Sequence, residues 1–273
     1  MTYTRIQIAP LTPTVGAEIG AIDLARPLDD DTYADLHRAL LKYKVLFFRD
    51  QNITQEQHIA FARRFGELEV HPFAPNHENP EVMVIAHDEN NRGKENTWHS
   101  DVTWRLKPSL GSILRAIEVP EVGGDTLFAD MHAAYEALGS SMKQALSGLT
   151  AIHDFSRVFG RGLPKEKLDQ LKREYPPAQH PVVRTHPETG EKALYVNRGF
   201  TSHIVGMTPD ESERLLEFLY SRASIPEYQC RFRWRKNSIA FWDNRAVQHY
   251  AVSDYFPQRR AMHRVTIAGD TPA

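Results

Sequence analysis

The short segment Trp98-His99-Ser100-Asp101 and the distant His249 most constrain what this chain can fold into. Residues two apart on an extended strand point to the same side, so the side chains of His99 and Asp101 can reach one point in space. A His-x-Asp pair alone is a weak signal in a chain with 13 histidines. If the fold also brings His249 to that point, two imidazoles and one carboxylate face one metal ion. This ligand set suits Fe(II) and leaves open coordination positions.

A second segment, Arg260 to Ile267, predicts a strand because it alternates and ends in β-branched residues. Arg260, Met262 and Arg264 would share one face of this strand. Two arginines on the inward face of a buried strand would be costly to bury unpaired, so we expect them to bind anions, typically carboxylates. Beside the three metal ligands, they predict a site for an acidic cosubstrate.

These segments together resemble the taurine dioxygenase family of Fe(II)- and 2-oxoglutarate-dependent oxygenases. Each motif is weak alone, but their order and spacing are specific, and the resemblance extends from about Ile6 to Gly269. It implies an α+β, mainly β fold, the double-stranded β-helix or jelly roll, flanked by helices. The motifs that carry the resemblance are Trp98-His99-Ser100-Asp101, Gly123-Gly124-Asp125-Thr126, Trp242-Asp243-Asn244-Arg245, and His249 followed by Arg260.

The same resemblance assigns the cofactors. It implies that His99, Asp101 and His249 bind Fe(II), and that 2-oxoglutarate and O2 are cosubstrates. The keto and adjacent carboxylate oxygens of 2-oxoglutarate would chelate the metal, while Arg260 and the Thr126 hydroxyl would bind its far carboxylate. The implied reaction converts 2-oxoglutarate to succinate and hydroxylates a carbon of the prime substrate.

For taurine, hydroxylation of the carbon that bears sulfur releases sulfite and an aldehyde. The resemblance places His71 and Arg264 at the sulfonate, and Phe159 and Phe200 at the pocket walls. Arg264 could instead pair with a core carboxylate such as Asp243. The two phenylalanines could equally be plain core, since aromatic residues dominate buried area in any domain.

The chain departs from the taurine pattern around the prime substrate. Ala74 stands in place of a tyrosine, Trp104 in place of a phenylalanine, and Val158 in place of a small polar residue. The loss of a hydroxyl and the gain of a tryptophan predict a more apolar pocket, with Trp104 in its wall. Glu95, in place of an asparagine, could hold an amine or could simply be solvated on the loop from Asn90 to Asn96.

We therefore predict a dioxygenase that hydroxylates a small organic anion, most simply taurine or another alkylsulfonate. A dioxygenase of alkyl sulfate esters or aryloxyalkanoates is the alternative within this enzyme class. The alternative outside it is a metal-binding jelly roll without oxygenase activity, which holds Zn(II) or Ni(II). Arg260 argues against the last, because a structural metal site needs no clamp for a carboxylate.

The composition of the chain agrees with an enzyme that acts on small molecules. The chain has 273 residues with a formal net charge of -2, so no broad basic field predicts binding to nucleic acid or anionic membranes. The single Cys230 excludes an internal disulfide and fits a reducing compartment. No apolar run approaches a membrane span, and we expect a cytoplasmic protein with one oxygenase domain over residues 1–273. The family resemblance suggests a homo-oligomer, a dimer or tetramer.

Apolar periodicity predicts helices after Asp29 to Asp31, after Thr54 and after Thr208, the last two with capping boxes. The helix after Thr54 is expected to reach Gly66. The segment from about Phe155 to Gln179 is rich in charge, proline and glycine and predicts an insertion or lid. The predicted strands are Lys44 to Phe48, Gly111 to Val119, Asp125 to Ala129, Val182 to Arg184, Ala193 to Asn197, Gln229 to Trp234 and Ser238 to Trp242.

Overall fold

Strands and helices are interleaved along the chain in the computed structural model, which describes residues 3–71, 78–93, 95–160 and 162–273. The strands are β1 (Gln7–Pro10), β2 (Ala17–Gly20), β3 (Val45–Phe48), β4 (Leu68–Glu69), β5 (Val82–His87), β6 (Gly111–Glu118), β7 (Thr126–Asp130), β8 (Thr150–His153), β9 (Ala178–Pro181), β10 (Val183–Thr185), β11 (Lys192–Leu194), β12 (Thr201–Ile204), β13 (Gln229–Phe232), β14 (Ile239–Asp243), β15 (Val247–Ala251) and β16 (Arg260–Ile267). The α-helices are α1 (Asp30–Tyr43), α2 (Gln55–Arg63), α3 (Met131–Glu136), α4 (Ser140–Leu146), α5 (Lys165–Glu174) and α6 (Pro209–Ser221).

Two sheets pack face to face at the centre of the fold. The larger has the order β1-β2-β3-β14-β6-β16-β4, with β5 also paired to β16, and the smaller has the order β13-β7-β15. Among the strand pairings of the described residues, β2 with β3 alone is parallel. Buried apolar side chains from both sheets form one cluster, so the predicted jelly roll is confirmed. The largest members of this cluster are Phe47, Phe128, Phe232, Trp234 and Trp242.

Two helices cover the outer face of the larger sheet. Asp29 caps α1 by accepting a hydrogen bond from the Thr32 N–H, and Thr54 forms the predicted capping box at the start of α2. Caps of this kind stabilise by about 1 kcal/mol each. The α2 helix ends at Arg63 rather than near Gly66. Buried leucines and phenylalanines of α1, α2 and β3 form the core on this side.

The remaining strands form a three-stranded sheet, β12-β8-β9, and a hairpin, β10-β11. The helix α6 packs near β12 and begins with the predicted capping box at Thr208. The predicted strand from Ala193 to Asn197 is shorter in the structure, because Asn197 closes a turn instead. Its carbonyl accepts from the Thr201 N–H, and its N–H donates to the Thr201 hydroxyl.

The segment predicted as an insertion contains a 3-10 turn, Phe155–Arg157, and the helix α5. Phe155 and Leu171 are buried against Val102 and Trp104. This segment therefore packs beside the residues that follow Asp101, and a lid role stays a prediction. No helix in the described part of the chain is long and apolar enough to span a membrane.

Candidate metal centre and its two cavities

His99, Asp101 and His249 converge in the structure. One ligand atom from each lies within 4.8 Å of the others. His249 lies on β15, and His99 pairs with it through two backbone hydrogen bonds of 2.8 and 3.1 Å. Asp101 does not continue this extended segment but begins a turn, so the predicted strand geometry holds only at His99.

The turn after Asp101 includes a strained residue. Val102 has a φ of 47°, in the left-handed region that β-branched residues rarely adopt. Such a conformation costs about 1–3 kcal/mol and persists only where neighbouring contacts hold it. The turn thus brings the Asp101 carboxylate back toward the two imidazoles at the expense of local backbone strain.

Hydrogen bonds orient the three candidate ligands. The His99 Nδ1 lies 2.7 Å from the Thr97 carbonyl oxygen, which fixes Nδ1 as the protonated nitrogen and leaves Nε2 with its lone pair. The Ser112 hydroxyl donates to Asp101 Oδ2 at 3.1 Å. Asp101 Oδ1 therefore faces the site, at 3.8 Å from His99 Nε2 and 3.9 Å from His249 Nε2.

The electrostatics keep His249 and Asp101 in the protonation states that bind metal. Burial, together with nearby His99, lowers the pKa of His249 to about 3, so its imidazole is neutral at pH 7. Burial would raise the pKa of Asp101, but Arg264 and the two histidines outweigh it and hold this pKa well below its usual range. Neutral imidazoles and an ionised carboxylate are the forms that act as ligands.

The first of two adjoining cavities, here called the inner cavity, is lined by His249, Thr126, Arg260 and Tyr255. Arg260 is only 5% exposed, and it has no ion-pair partner in the part of the chain that the structure describes. Its Nε is buried without a hydrogen-bond partner. An unpaired buried guanidinium is costly, so the inner cavity favours an anionic ligand.

Thr126 is prepared to donate a hydrogen bond into the inner cavity. The Trp234 indole N–H donates to Thr126 Oγ1 at 2.9 Å, which occupies one acceptor position of this hydroxyl. The hydroxyl proton is then free to point elsewhere. The Trp234 ring also lies 5.8 Å from the Arg260 guanidinium and packs behind both residues.

The second cavity, here called the outer cavity, has a volume of about 690 Å³, within the range of about 300–1,000 Å³ that is usual for ligand sites. Its walls include the predicted residues His71, Arg264, Phe159 and Phe200. Burial and nearby Arg264 lower the pKa of His71 to about 4, so His71 is neutral and Arg264 supplies the positive charge. The apolar part of the lining comes from Met83, Ile85, Val102, Val158, Phe159 and Phe200.

Three sequence predictions around the substrate need correction or stay open. Trp104 does not line either cavity. It is 1% exposed and packs against Phe155 and Tyr175 behind the wall, at ring distances of 5.9 and 5.4 Å. Ala74 lies outside the described residues. Glu95 is exposed on its loop, and its carboxylate also lies 3.3 Å from His87 Nε2 and borders both cavities, so its two alternatives stay open.

Arg264 pairs with a buried carboxylate, as the alternative expected, but the partner is Asp101 rather than Asp243. Arg264 Nη1 donates to Asp101 Oδ1 at 3.0 Å, whereas Asp243 is paired with Arg245 and His186. Arg260 and Arg264 do share the inward face of β16 as predicted, with the buried Met262 between them. Arg264 thus contacts the candidate metal ligand Asp101 and lines both cavities.

Sequence reasoning missed the residues that hold the site from behind. Ser112 orients Asp101, Trp234 orients Thr126, and Asn244 binds the backbone of Asp101. Only Asn244 belongs to a motif quoted above, where its polar side chain beside Asp243 was the available signal. Ser112 and Trp234 lie within predicted strands and show no distinguishing pattern.

Comparisons with known proteins agree with this geometry. A sequence profile described as "Taurine catabolism dioxygenase TauD, TfdA family" matches residues 7–266. An alkylsulfatase from Acinetobacter baylyi is 37% identical over 97% of this chain and 86% of its own length. The crystal structure of a taurine dioxygenase from Burkholderia xenovorans is 40% identical, with a TM-score of 0.86 over 99% of this chain and 93% of that one. The structure of AAD-2 in complex with Mn(II) and N-oxalylglycine is 33% identical, with a TM-score of 0.84 over 98% of both chains.

Proposed function

The chain belongs to the taurine catabolism dioxygenase TauD, TfdA family and is a dioxygenase dependent on 2-oxoglutarate, also called α-ketoglutarate. We propose that His99, Asp101 and His249 bind its Fe(II). We further propose that it hydroxylates a small organic anion, held in the outer cavity by Arg264 and His71. The observation that carries this proposal is the unpaired, buried Arg260 beside three convergent metal ligands.

The donor set fits Fe(II). Two neutral imidazole nitrogens and one carboxylate oxygen leave positions for further ligands, as non-haem iron oxygenases require. Ser112 holds Oδ2 of Asp101, which favours binding through Oδ1 alone. When bound, Fe(II) with 2-oxoglutarate and O2 would supply the oxidising power to hydroxylate an unactivated carbon.

Arg260 and Thr126 fit the far carboxylate of 2-oxoglutarate. A guanidinium offers two parallel N–H donors to a carboxylate, and the Thr126 hydroxyl can add a third donor. Both residues line the inner cavity together with His249, so the same ligand can reach the metal. A carboxylate there would also neutralise the buried charge of Arg260.

This arrangement disfavours a metal-binding jelly roll without oxygenase activity. A structural or hydrolytic metal site gains nothing from a second, buried cation that lacks a protein counter-ion. Here Arg260 opens into the inner cavity instead of pairing with a carboxylate of the fold. The need for an anionic cosubstrate explains its burial.

The outer cavity supports a substrate with an anionic head and an apolar tail. Arg264 and neutral His71 would donate hydrogen bonds to the head near the metal ligands, while Phe159, Phe200 and Met83 would contact the tail. An alkylsulfonate fits this description. Hydroxylation of its sulfur-bearing carbon gives a product that breaks down to sulfite and an aldehyde.

An alkyl sulfate ester is the second candidate, and the identity of 37% with an alkylsulfatase favours it. It presents the same three oxygens to Arg264 and His71, with one extra oxygen before the carbon chain. Hydroxylation of the carbon that bears this oxygen would release sulfate and an aldehyde. The two candidates therefore differ in the released anion, which can be measured.

We expect the pocket to bind longer alkylsulfonates more tightly than taurine. Each buried methylene contributes about 0.8 kcal/mol, so two or three would outweigh the loss of one neutral hydrogen bond worth about 1 kcal/mol. Dissociation constants for taurine, butanesulfonate and hexanesulfonate check this order. Tightest binding of taurine would contradict it and would mean that a group such as Glu95 recognises the amine.

We expect Arg264→Ala to weaken the binding of the prime substrate more than the binding of 2-oxoglutarate. A charge-assisted hydrogen bond contributes about 1.5–3 kcal/mol, which corresponds to a loss of roughly ten- to a hundredfold in affinity. The measurement is the dissociation constant of each ligand in the wild-type protein and in the variant. An equal loss for both ligands would show that the roles of Arg260 and Arg264 are wrongly assigned.

A binding panel tests the proposed substrate class. Sulfonates, sulfate esters and aryloxyacids are added anaerobically to the protein with Fe(II) and 2-oxoglutarate, and the metal-to-ligand charge-transfer band is recorded. A true substrate is expected to perturb this band and then to be consumed when O2 is admitted. If only aryloxyacids perturb it, the head group is a carboxylate and both sulfur candidates are wrong.

A further inference from the structure

Asn244 lies directly behind the candidate metal ligand Asp101. The side chain of Asn244 is fully buried, and its Oδ1 accepts a hydrogen bond of 2.6 Å from the Asp101 N–H. Its Nδ2 donates to the Asp101 carbonyl oxygen at 2.9 Å. One side-chain amide therefore satisfies both backbone polar groups of Asp101, as a neighbouring strand would.

The same amide also holds the far end of the turn that begins at Asp101. Asn244 Nδ2 lies 3.2 Å from the Ser109 carbonyl oxygen and 3.1 Å from the Ser109 hydroxyl. No strand is formed between Asp101 and Ser109, and Val102 within this stretch has a positive φ. The position of Asp101 therefore depends on contacts from outside the turn, and Asn244 supplies them at both ends.

Asn244 itself lies on a rigid support. It connects β14 to β15, and β15 carries His249. Its own N–H donates to the Leu110 carbonyl oxygen at 2.8 Å, and the preceding Asp243 is fixed by Arg245 and His186. The connection from β14 in the larger sheet to β15 in the smaller sheet, which leads to one candidate metal ligand, therefore holds the backbone of another through this single side chain.

We propose that Asn244 is a positioning residue that sets the place of Asp101 relative to His249 and thereby the affinity for the metal. The Asn244 side chain contacts the backbone of Asp101 and Ser109 at the far end of the turn, and it does not line either cavity. This inference rests on the proposed function, because it assumes that the three residues bind Fe(II). Partners that orient metal ligands in this way typically change metal affinity by roughly 10–100-fold when they are removed.

The test compares Asn244→Ala with Gln51→Ala in the full-length protein. Gln51 is a matched control, because its buried amide also accepts from a backbone N–H, that of Leu24 at 2.8 Å, and donates to the carbonyl oxygens of Ile22 and Arg49. Fe(II) is titrated anaerobically with saturating 2-oxoglutarate, and urea unfolding of the metal-free proteins is measured in parallel. Asn244→Ala is expected to raise the dissociation constant for Fe(II) by about tenfold or more and to shift the charge-transfer band. Gln51→Ala is expected to lower stability comparably and leave both readouts unchanged.

An Fe(II) dissociation constant within twofold of wild type in Asn244→Ala, at whatever stability, would overturn the inference. If Asn244→Ala does not fold, the Fe(II) dissociation constant of Asn244→Thr is measured instead. The threonine hydroxyl keeps a polar group at this position but cannot reach the N–H and the carbonyl oxygen of Asp101 together. A wild-type protein that does not bind Fe(II) would overturn the proposed function and this inference with it. Wild-type binding with unchanged variants would overturn this inference alone.

Discussion

Replacing His99, Asp101 or His249 by alanine is expected to abolish turnover while the protein stays folded. Each of the three contributes one atom to a group that lies within 4.8 Å, so each loss leaves only two protein ligands. Metal catalysis of this kind supplies several kcal/mol, so the rate is expected to fall on the order of a thousandfold or more. The measurements are product formation and bound iron per chain. The folded state should persist because the main apolar clusters lie in the sandwich and under the helices.

His203→Ala is the control for these variants. The His203 side chain is exposed and forms a hydrogen bond with the hydroxyl of the adjacent Ser202, so its loss should leave turnover near the wild-type rate. Circular dichroism of each variant shows whether the fold is kept. A variant of His99, Asp101 or His249 that retains the wild-type rate with one iron per chain would show that the substituted residue is not a ligand.

Arg260→Ala is expected to raise the Michaelis constant for 2-oxoglutarate by roughly ten- to a hundredfold, since a charge-assisted hydrogen bond contributes about 1.5–3 kcal/mol. The same change should not lower the free energy of unfolding of the metal-free protein, because it removes a buried guanidinium that has no counter-ion among the described residues. Kinetics at varied 2-oxoglutarate and urea unfolding measure the two effects.

Arg259→Ala is a matched control for Arg260. Arg259 is the preceding residue, but it is exposed and forms a surface ion pair with Glu118. Its loss should leave the Michaelis constant for 2-oxoglutarate unchanged. If both variants behave alike, the inner cavity does not bind 2-oxoglutarate through Arg260.

Features that depend on local sequence patterns can be predicted well from the sequence. The capping boxes at Thr54 and Thr208 need only residues three positions apart, and both are confirmed. The shared face of Arg260 and Arg264 follows from the alternation of one strand, and the structure keeps it. The convergence of His99 and Asp101 with His249 was predicted from spacing and resemblance together, and the three side chains meet.

Features that depend on distant contacts were not predictable in this way. Asp101 faces the site through a turn with a strained Val102, which no periodicity indicates. Trp104 was expected in the pocket wall, but the packing of Phe155 and Tyr175 places it behind the wall. Arg264 forms its ion pair with Asp101 rather than with Asp243, because Asp243 is already paired with Arg245 and His186. Each of these outcomes is decided by which neighbours the fold brings together.

The most direct test of the central claim is the formation of succinate from 2-oxoglutarate by the purified protein with a sulfonate or sulfate ester identified in the binding panel. The account predicts succinate only when Fe(II), O2 and 2-oxoglutarate are all present, in step with the release of sulfite or sulfate. It also predicts that Zn(II) or Ni(II) in place of Fe(II) gives none. Two results would contradict an oxygenase and indicate a hydrolytic metal site. One is the release of sulfite or sulfate without formation of succinate, and the other is release at the same rate when Zn(II) replaces Fe(II).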